Sequence, residues 1–373
     1  MKGNNNLYFA TEKNIYDALH HKRITTAMLQ DILLRKGIIV SEHLDKEELI
    51  EEVCKLPHGF IDLQEIKKKV QTYDPKESVT KVSLTTTTNQ QEVKDAINKM
   101  KDNYPKTKSE VFKVTTKKDG GLSVELHYDD IDLSRTALRQ IDKKSVKLDF
   151  SISEEKIDIR MPQNSKSKEL VKLIETQLAG IKNVEISRFE ISLEVVTSPN
   201  LRSQFFHDLM HGLEGYEVED VNNIEVNRFI NKLSNNNNDE DDDDEKIDAG
   251  YVRKAVLKGE SVNSSSIFSD LHNKGYYISK VSWASIPSSG NGDKIILEAF
   301  FKNSESCMDF AYNIKGINNF NKGKFNVTTR SVNEIEKKNI GKLIEDSAEK
   351  AYNSIINIMS GGSENEKNKV DVA

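Results

Sequence analysis

The sequence predicts an α+β protein: a helical N-terminal module, then two units built on antiparallel sheets. Three observations carry this. Up to about residue 72 the apolar residues recur at helical spacing. From Thr80 onward β-branched residues and period-two alternation take over. An acidic, asparagine-rich run, SNNNNDEDDDDEK at 234–246, then divides the strand-rich remainder in two. The organisation expected is a helical module at 1–75, an α+β domain at 76–233, a linker at 234–248, an α+β unit at 249–360 and an unstructured tail at 361–373.

The helical module has four expected helices, over residues 14–21, 25–36, 45–55 and 62–71. Thr25 or Thr26 can cap the second. Gly37 stands where that helix should stop, at a position favouring a left-handed backbone. The segment 41–45 is polar and acidic, as suits the next helix N-terminus. Beyond Tyr73–Asp74–Pro75, KVSLTTTT at 81–88 reads as a strand and residues 90–102 as a helix. VFKVTTKKDGGLSVELHY reads as a hairpin turning at Asp119–Gly120. VKLDFSIS and KIDIRMP form a second hairpin about Glu154–Glu155. Helices follow at 167–178 and 201–213, and a long one at 332–359. The stripe of the last, with Ile335, Ile340, Ile344, Ala348, Ala351 and Ile355 in it, suits packing on its own sheet.

A weak internal repeat joins the two strand-rich units. Ile186–Ser187–Arg188 matches Ile278–Ser279–Lys280, and Leu193–Glu194 matches Leu297–Glu298. Helices expected before and after each strand pair, including one at 304–314, give a duplicated α-β-β-α unit. Chance similarity over so few positions is the rival reading.

Composition narrows the function classes. The net charge of −6 misleads, because residues 239–245 are seven consecutive acids; without them 53 acidic residues face 54 basic ones. A strongly basic nucleic-acid binder is excluded, and any phosphate contact must be a local patch. The two cysteines, Cys54 and Cys307, form no CxxC pair, which argues against a disulfide framework and suits a reducing cytoplasm. No apolar run is long enough to span a membrane, and the N-terminus lacks the apolar core of a secretion signal.

The most specific stretch is LQDILLRKGIIVSEHLDKEELIEEVCKL, residues 29–56. Leu29, Ile32 and Leu33 form one apolar stripe; Leu49, Ile50 and Val53 form another. Between them run Arg35–Lys36–Gly37–Ile38, an extended Val40–Ser41 and a polar loop. The pattern over residues 25–56 resembles the SAP-type module, a helix–extended loop–helix fold. The resemblance implies docking on duplex DNA, with Arg35, Lys36, Ser41 and Lys46 at the matching positions. Cations would neutralise phosphates while a helix N-terminus offers free N–H groups. Two features depart from the family. The loop is about two residues longer than in such modules, and Glu42, Asp45, Glu47 and Glu48 crowd the same surface. A helical hairpin that packs on a neighbour or binds a protein is the competing reading. His20, His21, Lys22 and Arg23 either extend a basic face or end a helix.

Other motifs are weaker. His207 and His211 stand at the i, i+4 spacing of zinc-binding HExxH helices, but Asp208 replaces the glutamate, and the flanking Phe205, Phe206, Leu209 and Leu213 mark a helix packed on a core. Asp119 before Glu125–Leu126–His127 mimics a nuclease hairpin, with histidine where lysine belongs. Trp283 reads as a core anchor. No phosphate loop, GxGxxG or GxSxG occurs, so no catalytic residue, metal site or cofactor is assigned. The expectation is a cytoplasmic, non-catalytic accessory or adaptor subunit. It would touch duplex DNA and a protein partner, perform no membrane role, and sit in a setting such as a bacterial nuclease or antiviral defence complex. A protein scaffold without DNA binding and a divergent metal-dependent hydrolase are the alternatives.

Overall fold

The computed structural model describes residues 10–70, 77–104, 110–117, 120–182, 186–228, 254–259 and 266–370. The acidic run and Asp119 lie outside them. The α+β class holds, with helices and a large antiparallel sheet. The chain divides into two compact units: residues 1–76, 90–149 and 169–181 form the first, and 77–89, 150–168 and 182–373 the second. This division differs from the expected one. The stretch 76–233 is shared between the units because the chain passes from one to the other and back.

The first unit opens with α1 (Glu12–Leu19), α2 (Thr26–Arg35), α3 (Lys46–Cys54) and α4 (Phe60–Val70). Their starts are chemical. Thr11 and Asp45 make capping boxes with Asn14 and Glu48, and the Thr25 hydroxyl accepts from the Met28 N–H. Gly37, at φ 79°, closes α2, as the sequence predicts. Leu19, Ile24, Leu29, Leu33, Leu49, Ile50, Val53 and Ile66 fill one core. Leu138, from a 3₁₀ turn at Ala137–Arg139, joins that core. The unit also holds α5 (Gln90–Asn103), the hairpin of β2 (Val111–Thr116) and β3 (Leu122–Ile131), most of β4 (Ile141–Ile152), and most of α6 (Ser165–Lys182). Buried stripes on α5 (Val93, Ala96, Ile97, Met100), β3 (Leu122, Val124, Leu126) and α6 (Leu170, Ile174, Leu178) match their periods.

The second unit contains β1 (Val79–Thr85), β5 (Lys156–Pro162), β6 (Ser187–Phe189), α7 (Pro199–His211), β7 (Tyr216–Arg228), β8 (Lys254–Lys258), α8 (Ser266–Asn273), β9 (Tyr276–Pro287), β10 (Lys294–Asn303), β11 (Met308–Asn318), a small hairpin of β12 (Phe320–Asn321) and β13 (Lys324–Phe325), and α9 (Glu334–Val370). The strand order is β5-β1-β11-β10-β9-β7-β8, and every neighbouring pair in it is antiparallel. The core beneath α7 and α9 is built from Phe205, Phe206, Leu209, Trp283, Leu297, Phe301, Phe310, Ile344 and Ile355. Trp283 is fully buried, as a core anchor should be.

Three expectations change. Residues 304–314 form a turn and β11, not a helix. Phe310, Ala311 and Tyr312 are all buried, because a central strand is covered on both faces and loses the alternation that identifies strands. The two repeat copies also sit differently. β6 is three residues long and pairs with β1, whereas β9 is twelve residues long and lies between β7 and β10. Finally, the helical backbone of α9 continues past Gly361 to Val370. Glu364, Glu366, Lys367 and Lys369 are good helix formers, which offsets the two glycines.

α9 is fixed by small residues and by charge. Ile340, Ile344, Ala348, Ala351 and Ile355 face the core, while Ile335 is exposed. The Ser347 hydroxyl donates to the Leu209 carbonyl at 2.8 Å. A Cβ on Gly341 would lie 2.9 Å from the Tyr312 hydroxyl oxygen, so only glycine lets that side chain reach α9. There the Tyr312 hydroxyl donates to Glu345 Oε1 at 2.6 Å. Arg160 from β5 grips the same carboxylate with Nε at 2.6 Å and a second guanidinium nitrogen at 2.7 Å. One turn further on, Glu349 takes Lys81 at 2.7 Å and Lys156 at 3.1 Å.

Candidate docking face of the helical module

α2, the extended segment and α3 adopt the helix–loop–helix arrangement that residues 29–56 predict. The four positions singled out for phosphate contact fare differently. Arg35 ends α2, and its guanidinium meets Glu65 at 2.7 Å and Asp31 at 3.2 Å. Lys36 donates to the Pro57 carbonyl at 2.8 Å and to Asp62 Oδ2 at 2.9 Å. That ammonium, with a further hydrogen bond from the Gly59 N–H, holds the Asp62 carboxyl below its ordinary range, although burial pulls the other way. Ser41 accepts from the His43 N–H in a local turn, and Lys46 heads α3. The first turn of α3 carries its own anions. Asp45 accepts from the Glu48 N–H at 2.9 Å, and Glu47 follows Lys46. A phosphate would have to displace these acids to use Arg35, Lys36 or the helix N-terminus.

The Arg35–Glu65 and Lys36–Asp62 contacts bring the end of α2 against the start of α4. Around this junction the module exposes large apolar side chains. Leu34 is 60% exposed, Ile39 88%, Phe60 51% and Ile61 74%. Sequence reasoning missed these residues, although a signal was present. Each belongs to an apolar doublet: Leu33–Leu34, Ile38–Ile39 or Phe60–Ile61. Neighbours in a helix or an extended segment point apart, so beside the buried Leu33 and the half-buried Ile38 the second member faces outward, whereas Phe60 and Ile61 are both exposed and their doublet alone does not announce it.

The remaining motifs stay separate. His127 Nε2 lies 3.2 Å from Glu125 on one face of β3, as i and i+2 must. On α7 the His207 and His211 rings stack at 4.2 Å, and His211 Nδ1 bonds the His207 carbonyl at 3.0 Å. The neighbouring Phe205, Phe206 and Leu209 are buried, which places the two imidazoles on the outer face of the helix. Among the described residues, no three His, Cys, Asp or Glu side chains gather as metal ligands would. Both cysteines are buried and free, and burial pushes each thiol up to about 11, far from a reactive thiolate. No helix of the described residues is long and apolar enough to cross a membrane.

The second unit carries an ion ladder that no motif announced. Lys254 meets Glu225 at 2.6 Å, Lys280 lies 3.6 Å from Glu225 and 3.2 Å from Glu298, and Lys315 lies 2.9 Å from Glu298. Asn313 also donates to Glu298 at 2.8 Å. Burial pushes the Glu298 carboxyl up, but hydrogen bonds from Asn313 and Lys315 outweigh it and hold the group below its ordinary value. The ladder ties five neighbouring strands, β8, β7, β9, β10 and β11, together through cross-strand charge pairs.

No family model matches the chain. None of the curated proteins matches it either.

Proposed function

We propose that the chain is an adaptor or accessory subunit whose helical module docks a protein partner through the junction of α2 and α4. The observation behind this reading is the exposure of Leu34, Ile39, Phe60 and Ile61 around cations that are already neutralised. Contiguous exposed apolar side chains are the usual mark of an interaction surface. Arg35 and Lys36, each bound to a carboxylate, suit the rim of a protein interface better than a phosphate track. Duplex docking through Arg35, Lys36, Ser41 and Lys46 is the less supported reading, because those acids compete with phosphate for the same donors.

The sequence suggests a bacterial nuclease or defence complex as the setting, so products of adjacent genes are the first partners to try. Ile39→Ser with Ile61→Ser removes apolar contact while leaving the buried core intact. Covering each side chain contributes about 1.5–3 kcal/mol. Coexpression followed by titration calorimetry should therefore show affinity falling at least about tenfold. An unchanged dissociation constant would sink the proposal.

A further inference from the structure

The outer face of α7 holds two imidazoles side by side. On the inner face Phe205, Phe206, Leu209 and Met210 are buried, and the Ser347 hydroxyl donates to the Leu209 carbonyl, so the helix itself is fixed. His207 and His211 stand one turn apart on the other side, both exposed, the His207 side chain at 60%. Their rings stack with centroids 4.2 Å apart and planes 24° from parallel. A helix packed on a core is a rigid support for such a pair.

The neighbouring groups decide which nitrogen of each ring is left to bind something else. His211 Nδ1 bonds the His207 carbonyl at 3.0 Å. A carbonyl only accepts, so Nδ1 carries the proton and the neutral ring keeps its lone pair on Nε2. His207 Nδ1 lies 3.6 Å from Asp208 Oδ1, an oxygen that Gln204 orients by donating to it at 2.5 Å. That carboxylate favours the same tautomer on His207. A carbonyl or carboxylate on the far nitrogen is the arrangement that orients a histidine as a metal ligand. The place in the helix adds to it. His211 ends α7, where the negative pole of the helix dipole favours a cation.

We infer that His207 and His211 together bind a divalent transition-metal ion, with Nε2 of each ring as a ligand and water in the remaining positions. A metal–nitrogen bond is about 2.0–2.1 Å long, so the two donors must come within roughly 3–3.5 Å of each other. With the centroids already at 4.2 Å, a small rotation of the rings about the soft χ2 torsion brings them there. Imidazole suits Cu²⁺, Ni²⁺ and Zn²⁺, whereas Mg²⁺ and Ca²⁺ require oxygen ligands. Two protein ligands make the site an exchangeable one. It lies in the second unit and shares no residue with the docking face of the helical module, so it does not depend on that reading.

The test is titration calorimetry of the full chain with Zn²⁺, on protein prepared without a polyhistidine tag. Wild-type protein should bind, and acid should weaken the binding because protons compete for Nε2. Cu²⁺ should bind more tightly than Zn²⁺, and Mg²⁺ not at all. His207→Ala and His211→Ala should each weaken Zn²⁺ binding at least about tenfold, since loss of an outer partner of a ligand already costs about 10–100-fold. Both side chains face solvent and alanine is a good helix former, so both variants should match wild type by circular dichroism. Zn²⁺ should raise the urea midpoint of the wild type and leave that of either variant unchanged, because the folded α7 is what holds the two rings together. His127→Ala, which removes an exposed histidine beside Glu125, should bind as the wild type does. Absence of binding by the wild-type chain in excess Zn²⁺ overturns the inference. So does undiminished binding in either α7 variant, or loss of binding in His127→Ala. None of these results touches the Ile39/Ile61 test.

Discussion

Ion pairs do different work in the two units. In the helical module Arg35 and Glu65 meet with side chains 46% and 48% exposed. In the second unit Arg160 meets Glu345 with side chains 23% and 7% exposed, and the buried Tyr312 donates to the same carboxylate. The bond lengths are alike; the surroundings are not. At the surface water already solvates both partners, so the pair adds little. Beneath α9 water is excluded, and each charge depends on the other for its solvation. The module's charges therefore shape what it can bind, whereas those under α9 decide whether the unit holds together.

The sharpest way to break that contrast is Glu345→Ala. It strands Arg160 and the Tyr312 hydroxyl, and the urea midpoint should fall by the equivalent of about 3–5 kcal/mol. A shift below about 1 kcal/mol would mean that water reaches the pair, erasing the distinction. A gentler probe is acid. Burial pushes the Glu349 carboxyl up, but hydrogen bonds from Lys81 and Lys156 outweigh it and hold the group below its ordinary value. A carboxyl depressed on folding stabilises fully above its unfolded pKa of about 4.3 and loses that contribution as pH falls through the folded value. Urea midpoints should be flat above about pH 5 and decline below about pH 4. Lys81→Met should make that decline shallower, and an identical profile would remove Glu349 from the account. The smallest effect belongs to the surface pair. Arg35→Ala should cost no more than about 1 kcal/mol, and about 1 M salt should abolish the difference from wild type.

Much of the helical module is legible in its sequence because each element there is decided locally. Thr25, Asp45 and Gly37 mark ends whose chemistry operates within a few residues, and the stripes of Leu29, Leu33, Leu49 and Val53 repeat at the helical period. The β2–β3 hairpin is legible for the same reason. β11 is not, because its burial comes from β1 and β10, and nothing in residues 308–318 announces those neighbours. β7 was missed as well. Its polar stretch, Glu217 to Asn223, interrupts the alternation, and its pairing with β9 contains three register shifts. The proposed docking face was half legible. Arg35 and Lys36 stood out as cations, but their acids, Asp62 and Glu65, lie a helix away in sequence.

The position of β1 has a consequence for the making of the protein. β1, residues 79–85, pairs with β5 along one edge and with β6 and β11 along the other, and Lys81 meets Glu349. Its second edge begins with Val79 opposite Tyr312. On the ribosome, the part of that edge filled by β6 must wait for about a hundred further residues, and its Val79 end for more than two hundred. An early strand with an unfilled edge is the kind of intermediate that pairs with the wrong chain. The helical module, closed by contacts short in sequence apart from Leu138, can settle first. Yield in a cell should thus depend on how quickly the last third of the chain is translated, and synonymous slow codons before β11 should lower the soluble fraction without changing a single residue.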